Sequence, residues 1–188
     1  MKENSANINL KPTWLFLALI VLLFPLVYFH LFSAGFIAWD DPEYVLNNKD
    51  VHLFLVKNFF TQFYIGNYHP LTMLSYALDW KLFGKAAQGY HIENVLWHLL
   101  NTILVFYLGK KLQLKPVQAF LLAIVFAFHP LQIESVAWVG ERKNLLYAFF
   151  FLVSILFYID YNILTIVLNY VLHRRHYHFL ERKFCSGF

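Results

Sequence analysis

The 188-residue chain is 60% hydrophobic and only 14% charged, with a formal charge of +4 near neutral pH. That balance excludes an ordinary soluble domain, whose elements alternate polar and apolar positions, and points to an integral membrane protein. No basic stripe interleaved with stacking aromatics stands in a polar context, which argues against nucleic acid as a partner. Cys185 is the lone cysteine, so neither an intramolecular disulfide nor a metal knuckle can form.

The first apolar run, 14–32, follows Lys2 and Lys11 and precedes Ser33, Ala34 and Gly35. At about nineteen residues it exceeds the usual core of a secretory signal, and it contains bulky Tyr28, Phe29 and Phe32 near its end. It predicts an uncleaved transmembrane helix, kinked at Pro25. The segment 33–89 is mixed. It holds Asp40, Asp41 and Pro42, then amphipathic pieces at 51–60 and 71–83. Both pieces are too short to cross a bilayer and suit helices on the membrane surface, with Tyr64, Tyr68 and Trp80 at headgroup level.

A second span is expected at 90–108. Its His91, Asn94, His98 and Asn101 are spaced by three, four and three, which lays them on one face turned into the bundle. A third span covers 117–129, extended through the broken HPLQIESVAW stretch, and a fourth covers 145–161. The expected fold is an all-α integral membrane protein of about four spans, with interfacial helices in its first extracytoplasmic loop. Residues 1–161 form the membrane module and 162–188 a basic cytoplasmic tail.

Lys2, Lys11, Lys110, Lys111, Lys115, Arg174, Arg175, Arg182 and Lys183 fall in short connections and ends of one side, against Arg142 and Lys143 in the only short loop of the other. The positive-inside rule then places both termini in the cytoplasm. It also brings the Asp40–Asp41 loop and the 134–142 loop to one extracytoplasmic face.

These two loops carry the chemistry. Asp40 and Asp41 read most simply as a helix cap ahead of Pro42; the functional reading is a general base or a divalent-metal ligand at the lipid–water boundary. His129, Glu134, Glu141, Arg142 and Lys143 lie between the apolar runs 117–128 and 145–159. Ionisable groups cost roughly 2.5–3.5 kcal/mol each at mid-bilayer, so they mark a site or a membrane surface. Glu134, flanked by Ile133, Val136, Ala137 and Trp138, needs a partner, and Arg142 suits either that carboxylate or a phosphate. The His91/His98 stripe has metal-like spacing, although histidines in a span more often hydrogen-bond to neighbouring helices. His69 before Pro70 is a weaker signal, and no P-loop, GxSxG, HExxH or CxxC is present.

Four strings in order, AWDDPEYVLNN, NYHPLTMLSYALDWKLFG, GYHIENVLWHLLNT and FAFHPLQIESVAWVGERKNLLYAFFF, resemble the N-terminal part of bacterial membrane proteins with tetratricopeptide repeats. Those are related to the transmembrane and tetratricopeptide-repeat O-mannosyltransferases of the GT-C superfamily. The resemblance covers 36–161 and implies a glycosyltransferase module in a bacterial inner membrane, with a polyprenyl-phosphate-linked sugar as donor and a protein as acceptor. It implies Asp40 and Asp41 as catalytic base or metal ligand, a divalent metal being the one cofactor suggested. Glu134 and Arg142 match the family's HP…E…VAW…RK loop; the candidate substrate-binding residues are His69, His91, His129, Glu134, Arg142 and Lys143, with Arg142 and Lys143 on the phosphate. The family's further spans and repeats are not in this sequence, which reads as a truncated module. The alternative to an enzyme is a non-catalytic membrane fragment or assembly partner.

Overall fold

The computed structural model describes residues 10–162; the tail expected at 162–188 lies, from 163 onward, outside the described residues, as does Cys185. Among the described residues regular structure is helical, apart from one isolated bridge between Tyr64 and Asn67. Helix α1 spans Leu10–Tyr28 and tightens into a 3₁₀ turn at Phe29–Ser33. A wide π turn follows at Pro42–Leu46, then the single-turn helices α2 (Lys49–His52) and α3 (Val56–Phe59). The longer helices are α4 (Pro70–Phe83), α5 (Ala87–Lys111) and α6 (Pro116–Phe128). The short α7 (Ile133–Ala137) precedes α8 (Val139–Asn162), which opens with a 3₁₀ turn.

Thr13–Ser33, α5 and α8 are long and apolar enough to cross a membrane, so the chain is an all-α membrane protein. Helix α6 has 13 residues, about 20 Å of length against a hydrocarbon core of about 30 Å. It reaches across only together with the following Pro130–Ala137 segment, from which it is bent by 51°. The break is local chemistry. Pro130 disfavours helical dihedrals in the residue before it, and His129 is extended at φ −65°, ψ 132°.

Two expectations shift. The piece at 51–60 is not one helix but α2 and α3, because the chain turns at Phe54, whose φ is 56°. The last span starts at Val139 rather than 145, so Arg142 and Lys143 lie in its first turns and not in a loop.

The first compact unit runs to Leu152. Within it, one core joins α1, α5, α6 and the start of α8 around Ile20, Phe24, Phe106 and Leu145. Ala119, Ala123 and Ala127 repeat every fourth residue and are fully buried, so α6 approaches its neighbours closely. At Gly109 a Cβ would lie 3.0 Å from that of Ala119. A second core, built from Tyr44, Val51, Phe59, Met73, Tyr76, Tyr90 and Val139, lies under the 42–83 segment. Residues 153–162 belong to a second unit and are helical.

Candidate functional site

The Asp40–Asp41 pair and the stretch before Arg142 meet. Asp41 is fully buried; its Oδ1 accepts from the Gly140 N–H at 2.7 Å and its Oδ2 from the Ile37 N–H at 2.8 Å. The Trp138 indole N–H lies against the same carboxylate. Burial pushes this carboxyl above the usual carboxylate range, against the lowering effect of these N–H groups and of nearby His91. The expected cap is not formed. Asp41 already has helical dihedrals, so its side chain is not aimed at the following N–H groups and turns to Gly140 instead. Asp40 differs in kind. It is partly exposed, and its side chain has no hydrogen-bond partner among the described residues. Gly140 packs so tightly beneath the pair that a Cβ there would lie 3.1 Å from Asp41 Oδ1 and 3.4 Å from Asp40 Cβ.

Arg142, expected beside Glu134 or a phosphate, instead points inward. Its Nη1 lies 2.6 Å from Asp79 and 3.3 Å from Glu93, and it donates to Ser75 Oγ at 3.1 Å. Nε donates to Asn94 Oδ1 at 2.7 Å and Nη2 to the Tyr90 carbonyl at 3.1 Å. The guanidinium also stacks over Tyr76, 4.8 Å from the ring centroid. Glu134 stays exposed, where water can solvate it, whereas Arg142 is the cation that acts on the two carboxylates on apolar helices among the described residues. Burial, reinforced by the neighbouring Glu93, pushes Asp79 above the usual carboxylate range. Asp79 and Glu93 are the residues that sequence reasoning missed. Their signal was present, since Ser75 and Asp79 are four apart in an apolar helix and Arg142 is the only arginine before Arg174.

The polar face of α5 holds irregular backbone. His91 Nε2 meets the Gly35 carbonyl at 3.2 Å, and Asn94 Nδ2 donates to the Val136 and Trp138 carbonyls at 3.3 and 3.1 Å. His98 Nε2 meets the Ala127 carbonyl at 2.9 Å, which the Tyr28 hydroxyl also reaches at 2.6 Å, and Asn101 donates to Leu145 O at 2.9 Å. The Ala127 and Val136 carbonyls lie in the last turns of α6 and α7, where the helix break leaves them without an N–H, whereas the Leu145 carbonyl lies inside α8 and gains Asn101 as a second donor. His129 lies apart from these groups; it is exposed, and its Nδ1 accepts from Leu131 N at 3.3 Å.

His69 and Lys143 line an open cleft of about 220 Å³ with Pro70, Leu71, Thr72, Leu146, Tyr147 and Phe150. Lys143 Nζ is held by Glu141 at 2.6 Å and the Gly140 carbonyl at 3.2 Å. Both ring nitrogens of His69 are buried without a hydrogen-bond partner. Burial, and then the Lys143 charge, lower its pKa to about 4, so it is neutral at pH 7. The Tyr44 ring joins cleft and acids: His69 packs on it edge to face at 5.1 Å, Lys143 stands 5.7 Å from its centroid, and the Asp40 charge acts on its hydroxyl. A divalent cation does not fit this donor set. Asp41 has both oxygens taken by N–H groups, and the described residues bring no three His, Cys, Asp or Glu side chains together.

The chain is 32% identical over 164 residues to human protein O-mannosyl-transferase TMTC3, a match covering 81% of this chain and 17% of that protein. It is 33% identical over 149 residues to human protein O-mannosyl-transferase TMTC4, covering 66% and 20%. It is 30% identical over 142 residues to protein O-mannosyl-transferase F38B6.6 of Caenorhabditis elegans, covering 67% and 20%. The chain is similar to one part of the protein O-mannosyl-transferases. It spans about a fifth of the length of these relatives. No family model and no solved structure matches it.

Proposed function

We propose that this chain is a membrane module of a protein O-mannosyl-transferase-like glycosyltransferase of GT-C type, acting on a polyprenyl-phosphate-linked sugar and a protein hydroxyl. Asp40 is the base. It takes the proton of the acceptor hydroxyl as that oxygen bonds to the sugar C1. The bond from C1 to the phosphate oxygen breaks at the same time, and the lipid phosphate leaves with the electron pair. Lys143 stabilises the departing charge: an ammonium has three N–H donors, and Glu141 and Gly140 engage two of them. His69 and the apolar wall of the cleft receive the phosphate end of the lipid. Asp41 and Arg142 position the site from within. Both termini lie in the cytoplasm of a bacterial inner membrane, and the site faces the other side.

The observation that carries this reading is the division between two adjacent acids. Asp41 is locked into backbone N–H groups, whereas Asp40 stays partly exposed against Gly140, whose carbonyl takes the ammonium of Lys143 on the wall of the apolar cleft. Proteoliposomes holding the protein and labelled polyprenyl-phosphate mannose test it. Asp40→Asn should keep donor binding and abolish transfer, and Lys143→Gln should weaken donor binding. The aligned acid of a full-length relative should behave like Asp40. Transfer at the wild-type rate by Asp40→Asn, or no donor binding by the wild-type chain, would sink the proposal; the second outcome would favour a non-catalytic packing module.

A further inference from the structure

Helix α4 turns one face inward, burying Thr72, Met73, Tyr76 and Asp79. Its other face carries Leu71, Leu78 and Leu82, which are 46%, 49% and 73% exposed, on one stripe with Lys81. The helix has 14 residues, about 21 Å, too short to cross a bilayer. Only Gly84, Lys85 and Ala86 separate it from the candidate span α5, and the Tyr90 hydroxyl fixes that corner on the Gly84 carbonyl at 3.0 Å. The leucine stripe is therefore held at the end of a span, where acyl chains give way to water.

The same surface is basic. Lys81 Nζ stands 3.8 Å over the Phe54 ring, which joins α4 to the turn at 53–56. Phe54 holds that turn in a strained left-handed conformation, and the adjacent Leu53 is 67% exposed. Lys49, Lys57, Lys81 and Lys85 are all exposed and form no ion pair among the described residues. Of the acids in the same segment, Asp41 and Asp79 are buried, and Asp50 is turned to Asn58 and Tyr64, which leaves three part-buried or exposed carboxylates, Asp40, Glu43 and Asp50, against four lysines.

We propose that α4 and the 53–56 turn form a seat for anionic phospholipid headgroups. The leucines enter the outer acyl layer, while Lys81 and Lys85, flanked by Lys49 and Lys57, engage the lipid phosphates. Unpaired lysines beside exposed leucines match an anionic leaflet in both charge and polarity. The seat does not depend on the glycosyl-transfer reading.

The test uses the whole chain with Cys185→Ser in phosphatidylcholine nanodiscs, with and without phosphatidylglycerol. Spin labels at Leu78→Cys and Leu82→Cys should collide with oxygen more than with a water-soluble nickel chelate. Spin-labelled phosphatidylglycerol should associate in preference to phosphatidylcholine, by roughly five-fold for each engaged lysine. Combined Lys49→Gln, Lys57→Gln, Lys81→Gln and Lys85→Gln should remove the preference, and the four Arg exchanges should keep it. In the unmodified chain, raised ionic strength should reduce it. A preference that survives both the Gln exchanges and salt would overturn the proposal, as would labels open to water. Labels shielded from both probes would assign the face to a protein partner and overturn it too.

Discussion

At Asp41 a single carboxylate fastens two loops. Both oxygens are used by backbone N–H groups, Gly140 on one side and Ile37 on the other. Asp41→Asn keeps the shape but turns an N–H donor towards one of these donors, at a cost of about 1–3 kcal/mol. Gly140→Ala strikes the same contact from the other side, because its Cβ would stand 3.1 Å from both Asp41 Oδ1 and Trp138 Nε1; about 1–3 kcal/mol is expected again. Thermal unfolding in detergent should show both losses, and Asp40→Asn, with no bond of this kind to break, should unfold close to the wild type. His69 adds a pH dependence of definite sign. Its pKa is about 4 in the fold against an ordinary 6.5. Above pH 6.5 it is neutral folded and unfolded and contributes no slope. Between 6.5 and 4 the unfolded chain takes up a proton that the folded chain refuses, so stability falls as the pH falls. His69→Gln should flatten that part of the unfolding-midpoint profile, and an unchanged profile would contradict the buried, unpartnered ring.

At the scale of elements, Arg142 ties α4, α5 and α8 together through Asp79, Glu93, Ser75 and Asn94. Arg142→Leu leaves all four without their cation or donor and should cost about 3–5 kcal/mol. Asp79→Asn should cost less than Arg142→Leu, because the amide oxygen can still accept from the guanidinium and Glu93 remains as its counter-charge. Combining Arg142→Leu with Asp79→Leu should recover part of the loss; strictly additive losses would show that the two do not act as a pair. The α5 face was legible in the sequence because four polar residues at helical spacing in an apolar run can only turn inward, and His91, Asn94, His98 and Asn101 are all buried. The partner of Arg142 was not legible. Nearness along the chain favours Glu134, but the guanidinium is bound by whichever carboxylates lose most water, and burial of Asp79 and Glu93 follows from tertiary packing. The break between α2 and α3 was hidden for a similar reason, since a phenylalanine at φ 56° contradicts its own local preference. Gly89 shows the converse. A Cβ there would sit 2.2 Å from Cγ of Phe83, so the α4–α5 corner closes only because this residue has no side chain.

For the whole molecule, the topology turns on the course of the bent α6–α7 segment. Its contacts with α5 run in one direction. Ala119 lies against Gly109, the Ala127 carbonyl against His98, and the Val136 carbonyl against Asn94. The chain then reaches Gly140 at Asp41, while His91 at the start of α5 touches Gly35 just beyond α1. The segment therefore travels from the end of α5 back to its beginning, antiparallel to it. Asn94 to Arg142 and Asn101 to Leu145 show that α8 then leaves in the direction of α5. A crossing segment makes four spans and puts the 112–115 turn opposite the Asp41–Gly140 junction. Single cysteines in the Cys185→Ser background at Asn48, Leu112 and Glu134 test this with an impermeant maleimide. Asn48→Cys and Glu134→Cys should label in intact cells, and Leu112→Cys only in inverted vesicles. Labelling of Glu134→Cys only in inverted vesicles would mean that α6 and α7 turn back within the membrane, leaving three spans and the chain ends on opposite sides.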